Sequence, residues 1–183
     1  MRYFIDTEFH EKPGTLELIS IGIVAEDGRE LYRASSDFKL SGGNSWVEEN
    51  VLPYLPAPES RVSVARIAEE VLRFVDPDPE FWGYYADYDW ILFCWLFGPM
   101  VDLPDHFPRY CLDIKQFCKS LGNPRLPENP ATHVAIEDAR WIREVHGWLT
   151  AYARGKELLR AEVKTPSADP RAPDCPPGSP NDP

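Results

Sequence analysis

The order of two periodicities along the chain constrains its fold more than any other feature. Residues 1–9, 15–26 and 30–38 all read as strands. YFIDTEF alternates toward a polar end, and TLELISIGIVAE is dense in β-branched residues between Gly14 and Asp27-Gly28. Short connections favour pairing of these three runs as an antiparallel meander. Residues 41–60 are rich in Gly, Pro and Asn and read mostly as loop. From there strands and helices alternate. Val64, Ile67, Ala68, Val71, Leu72 and Val75 recur at helical spacing over 62–75, where Asp76-Pro77 stops the helix. EFWGYYA (80–86) reads as a buried strand, and the helix over 87–97 ends at Gly98-Pro99. RYCLD (109–113) reads as a short strand, 114–121 as a short helix, 123–131 as a Pro-rich loop and 135–159 as the final helix. This order implies an α/β protein, with a mixed five-stranded sheet whose first three strands are antiparallel and whose two faces carry helices.

At 183 residues, with 43% hydrophobic and 13% aromatic content, the chain can bury one substantial core. A single domain is expected over 1–160, followed by a Pro-rich tail, 161–183, poor in large apolar residues and expected to be disordered. MRYFIDTEFH enters charged residues without a signal-like apolar region. The longest apolar run, 90–100, is too short to span a bilayer, so no membrane association is expected. Cys94, Cys111, Cys118 and Cys175 form no CxxC pair, which points to free thiols in the cytoplasm. The net charge of −11 argues against a long, non-specific nucleic-acid footprint. It does not exclude a small acidic site made cationic by bound metal.

Asp6 and Glu8 lie two apart on the first strand, so both point to one face. Paired carboxylates on a buried face repel each other and lose hydration, so they call for a cation. The bland alternative is that Glu8 has already left the strand and is solvated. On the last helix, Asp138 shares the apolar stripe of Ala135, Ile142, Val145 and Leu149 and faces the core. A salt bridge to an arginine is the ordinary explanation for such an aspartate. In YYADYDW, Asp87 shares a helical face with Trp90, Ile91 and Cys94, and Asp89 shares one with Leu92, Phe93 and Leu96. Periodicity does not choose between them, although Asp87 suits a helix N-cap. A lone histidine at a loop–helix junction, as His133 is, is more often structural than catalytic. Beside a metal site, a base with an ordinary pKa of about 6.5 can take a proton from water at neutral pH.

Together the signals are specific. DTEF (Asp6, Thr7, Glu8, Phe9) ends a first strand, YADYD (85–89) opens a helix after a later strand, and HVAIEDA (133–139) opens the last helix. Over residues 1–155 this pattern resembles the DEDDh 3′–5′ exonucleases, whose motifs are DxE, NAxFD and HxAxxDA. Tyr85 departs from the usual Asn of the second motif, and the match places that motif's ligand at Asp89. DTEF with the YYADYDWILFCWLFG segment is further similar to polyadenylate-specific exoribonucleases.

The resemblance implies a ribonuclease H-like fold and a two-metal phosphodiester hydrolase. Asp6, Glu8, Asp89 and Asp138 would bind two Mg²⁺ or Mn²⁺ ions, with His133 as general base. Thr7, Glu8, Phe9 and Tyr85 are the expected substrate contacts. Tyr88 and Trp90 could also stack bases, although each of these aromatics could equally be core. Arg109, Lys115, Arg125 and Arg140 could reach phosphates but read more simply as surface charge, and Asp113 reads as a turn or cap residue. The implied substrate is single-stranded RNA or an RNA 3′ overhang, with adenylate preferred and nucleoside 5′-monophosphates released by a homodimer. Two rival readings share these motifs: a DNA 3′–5′ exonuclease for proofreading or repair, and a catalytically silent binding module on the same fold.

Overall fold

The computed structural model describes residues 1–39, 45–130 and 133–164, with side chains to residue 158. Residues 165–183 of the Pro-rich tail, and hence the expectation of disorder there, lie outside the described residues.

Strands β1 (Arg2–Lys12) and β2 (Thr15–Ala25) form a long antiparallel hairpin, and β3 (Glu30–Ala34) pairs antiparallel with β2. β4 (Glu80–Gly83) and β5 (Leu112–Asp113) add in parallel on the other side of β1. The order β3-β2-β1-β4-β5 is the expected mixed five-stranded sheet, and β1 lies at its centre.

Side-chain alternation along β1 divides the core into two layers. Tyr3 and Ile5 face one layer, where Ile67 and Val71 of α2 (Val64–Phe74) and Phe93 of α3 (Asp87–Trp95) close over them. Phe4 faces the other, against Ile114 and Cys118 of α4 (Ile114–Ser120) and Ile142, Val145 and Leu149 of α5 (Ala135–Lys164). These side chains are essentially inaccessible. Each large apolar one contributes about 1.5–3 kcal/mol on burial. The same alternation sends Asp6 and Glu8 toward α5, and Thr7 toward α3.

Two glycines set the close approaches that bring helices to the sheet. A Cβ on Gly22, which sits opposite Asp6 on β2, would lie 2.3 Å from the carbonyl oxygen of Ala135 in the first turn of α5. A Cβ on Gly83 would lie 2.6 Å from that of Ala86, in the turn between β4 and α3.

Several boundaries differ from expectation, each for a local reason. β3 stops at Ala34, not residue 38, because Asp37 leaves the sheet to accept the Val64 amide at the start of α2 (2.8 Å). β4 stops at Gly83, since Tyr85 takes a left-handed conformation (φ 55°) that a strand cannot hold. β5 keeps only Leu112 and Asp113 of the expected 109–113, and Asp113 turns to cap α4 by accepting the Gln116 amide (2.8 Å). α3 ends at Trp95 rather than 97, and α5 continues to Lys164 rather than 159.

The segment 41–60 is not simply loop. It contains α1 (Ser45–Asn50) and two 3₁₀ turns, Leu52–Tyr54 and Pro58–Ser60. Pairing jumps from Glu8–Ser20 to Phe9–Leu18, which leaves Ile19 as an extra residue on β2. Ile19 is fully buried against Val47 and Val51 and anchors α1 over that end of the sheet.

Candidate active site

The end of β1 opens into a cavity of about 700 Å³. Asp6, Glu8, Asp89, Asp138 and His133 all line it, so the structure brings together five positions spread over the whole domain. Carboxylate oxygens of Asp6, Glu8 and Asp138 lie within 4.8 Å of one another. None of the four acids has a salt-bridge partner among the described residues, so the arginine expected for an isolated Asp138 is not there. Glu8 is buried within β1, which removes the reading of it as a solvated strand end.

Different elements aim each acid. Asp6 and Glu8 follow from the β1 alternation. Asp138 comes in on the first turn of α5, which Gly22 lets down onto β2. Its carboxylate accepts hydrogen bonds from the Asn129 side-chain amide and the Val134 backbone N–H (3.2 Å). Asp89 arrives from the opposite layer on α3 and is buried. Its Oδ1 accepts both the Thr7 backbone N–H (2.9 Å) and the Thr7 hydroxyl (2.5 Å). Asp89 stands outside the tight trio, on the same cavity wall.

Asp87 is exposed and lies outside the cavity lining, so of the two candidates only Asp89 enters the site. Nor is Asp87 the helix cap. That position is Ala86, whose N–H donates to the second oxygen of Asp113 (3.0 Å). Asp113 therefore serves two helix starts, as a cap residue and not as a cavity ligand.

The electrostatics are those of an acid cluster whose described lining holds no lysine or arginine. Burial first, then the charges of Asp89, Asp138 and Glu8, push the Asp6 pKa well above the usual carboxylate range. Glu8 is pushed up to about 8 by burial and then by Asp138 and Asp89. Asp89 rises to about 6, burial outweighing its bonds from Thr7. Burial also raises Asp138, against the hydrogen bonds that lower it. An all-oxygen, mutually repelling donor set fits a hard divalent cation.

Aromatic side chains surround the acids. Phe9, Tyr85 and Tyr88 line the cavity, and Phe9 and Tyr88 meet with ring centroids 5.5 Å apart. Trp90 does not join them. It is buried and stacked on Phe93 in the α3 core layer. Arg109, Lys115, Arg125 and Arg140 are all absent from the lining, and Arg140 is engaged by Glu30 and Glu137.

Sequence reasoning missed Trp46 and Asn129. Trp46, on α1, meets His133 edge-on at 4.6 Å between ring centroids. The Val47/Val51 pair at helical spacing was the one signal that α1 exists. Asn129 carried no signal, because its partner Asp138 becomes a neighbour only through the path of the Pro-rich loop.

No protein-family model matches the chain. It is 45% identical over 147 residues to a 3′–5′ exoribonuclease of Mycobacterium tuberculosis strain H37Rv and to its counterpart in strain CDC 1551, covering 76% of this chain and 88% of each relative. Among solved structures it resembles Escherichia coli exonuclease I in complex with a dT13 oligonucleotide, with a TM-score of 0.59 at 14% identity. That match covers 88% of this chain, which spans only 43% of the exonuclease I chain. A chain from the yeast NOT1 MIF4G–CAF1 co-crystal matches with a TM-score of 0.50 at 12% identity, covering 84% of this chain and 80% of that one. Sheet order, the acid-lined cavity and close relatives over three quarters of its length agree: the chain, with its ribonuclease H-like fold, belongs to the family of these mycobacterial 3′–5′ exoribonucleases.

Proposed function

We propose that the chain is a 3′–5′ exoribonuclease that hydrolyses the terminal phosphodiester of single-stranded RNA or an RNA 3′ overhang, prefers adenylate and releases nucleoside 5′-monophosphates. Its domain spans 1–160, and the tail lies outside the catalytic unit. The carrying observation is the convergence of Asp6, Glu8 and Asp138 within 4.8 Å, with no lysine or arginine paired to them among the described residues.

Asp6, Glu8 and Asp138 would hold one Mg²⁺ or Mn²⁺ ion, and Asp89, from the opposite layer, would reach a second that Asp6 shares. When bound, the ions supply charge neutralisation at the phosphate and ease ionisation of the attacking water. The residues of the chain divide the remaining work. His133 accepts the proton of that water. Phe9, Tyr85 and Tyr88 offer faces to the terminal bases, at about 1–3 kcal/mol per stacked base. Glu8 borders the position of the terminal nucleotide. With no lysine or arginine among the described lining residues, the cavity grips a few terminal nucleotides rather than a long backbone. The three free thiols among the described residues fit a cytoplasmic setting. Exposed Ile91 and Trp95 on α3 fit burial in a homodimer, which sedimentation of the purified chain would reveal.

The test is mass analysis of products from matched RNA and DNA strands with varied 3′ ends. Release of 5′-monophosphates from RNA in Mn²⁺, none in EDTA, and faster trimming of adenylate ends are expected. Preferential trimming of DNA would overturn the substrate assignment, and no release from either strand would overturn the nuclease assignment.

A further inference from the structure

Thr7 sits between two acids of the first motif, yet it points away from them. The β1 alternation turns it toward the α3 layer, and it is only 4% exposed. Both of its polar hydrogens are used on one atom: the backbone N–H and the hydroxyl donate to Oδ1 of Asp89, at 2.9 and 2.5 Å. A carboxylate can only accept, so the hydroxyl proton is directed at Asp89. No other residue's side chain bonds the Asp89 carboxylate among the described residues.

The two helical layers meet the site from opposite faces of the sheet. Asp138 is held from its own side by Asn129 and Val134, and among the described residues no side chain of that layer hydrogen-bonds the Asp89 carboxylate. The Thr7 clamp is thus the direct tie between the strand bearing Asp6 and Glu8 and the acid carried by α3. Two bonds to one oxygen also fix the carboxylate plane, as partners behind a ligand commonly do.

We propose that Thr7 is a positioning residue, whose paired donors lock Asp89 in the orientation that completes the divalent-cation site, rather than a contact to RNA. This rests on the metal-site reading above. Thr7→Val keeps the shape and the backbone donor but removes the hydroxyl donor, while Thr7→Ser restores a hydroxyl without the methyl group.

The test is Mn²⁺ titration of the RNA-free chain by calorimetry, together with the Mn²⁺ dependence of cleavage. For Thr7→Val the expected result is about 10- to 100-fold weaker Mn²⁺ binding. Half-maximal activity should move by the same factor, with KM for RNA at saturating Mn²⁺ unchanged, and Thr7→Ser should bind Mn²⁺ as the wild type does. Unchanged Mn²⁺ binding with a raised KM would overturn the proposal and make Thr7 a substrate contact. Weakened binding in Thr7→Ser equal to that in Thr7→Val would also overturn it, since the hydroxyl would then be irrelevant. If Thr7→Val does not fold, Thr7→Ala takes its place with the same expectations. A wild-type chain that binds no Mn²⁺ at all would instead refute the underlying metal-site reading.

Discussion

Replacing Gly22 with alanine should damage the active site without introducing any chemistry there. The added methyl would stand 2.3 Å from the Ala135 carbonyl oxygen, and ordinary contact begins at 3.4 Å, so the first turn of α5 must retreat by about 1 Å. The obstacle is backbone, which cannot rotate aside as a side chain could. Asp138 lies in that turn, and Asp6 sits directly across from Gly22, so the retreat opens the spacing between the two carboxylates. A misplacement of about 1 Å at a reacting centre costs on the order of 10²-fold in rate, or about 2.7 kcal/mol of transition-state stabilisation. Overpacking should separately lower stability by about 1–3 kcal/mol, a loss of roughly 3–10 °C in Tm for a chain of this size. The assay is mononucleotide release at saturating Mn²⁺, well below the melting temperature, with circular dichroism confirming the fold. A Gly22→Ala chain that cleaves at the wild-type rate would show that α5 can back away without disturbing the acids, and the positioning argument would fail.

Other expectations follow from the same geometry. Asp138→Asn should abolish mononucleotide release yet raise the metal-free melting temperature slightly, because one half-buried repulsive charge is gone; normal cleavage would remove Asp138 from the mechanism. His133→Ala should lower the rate about 10²–10⁴-fold with Mn²⁺ still bound in calorimetry, whereas lost Mn²⁺ binding would make His133 a ligand. For Glu8, the folded pKa of about 8 stands above its ordinary value of 4.5. Its protonation favours the metal-free fold below pH 4.5, and that contribution fades as pH rises through 8. Asp89, raised to about 6, acts in the same direction at lower pH. The melting-temperature gain from Mn²⁺ should therefore grow from pH 5 to pH 8, and a gain that shrinks over this range would contradict the acid-cluster electrostatics.

Much of this was legible in the chain. Asp6, Glu8 and Asp138 could be placed because strand and helix periodicities fix which way those side chains point, whatever the tertiary detail. Asp89 could not be separated from Asp87 by the same logic. Both positions of a short, almost wholly apolar helix look inward, and the choice is made by Thr7 on another strand. The α1 helix escaped because six residues with a single buried side chain, Val47, carry too little periodicity to stand out from Gly and Pro. Its position is set by the extra residue Ile19 on β2, a register irregularity that no pattern in the chain announces. Left-handed backbone at Tyr85 and His133 is likewise imposed by tertiary fit on residues that do not favour it.

The acids at the end of β1 come from three separated stretches of chain, one on the central strand and one from each helical layer. Beyond the repulsion of the Asp6–Glu8 pair already on β1, the repulsion among all four acids cannot arise until both layers have docked on the sheet. Early assembly of the hairpin and the cores is thus unopposed by it, and the penalty falls at the last stage of folding. A divalent ion bound by these acids would act at that same stage, holding the finished structure closed and slowing its opening without helping the chain collapse.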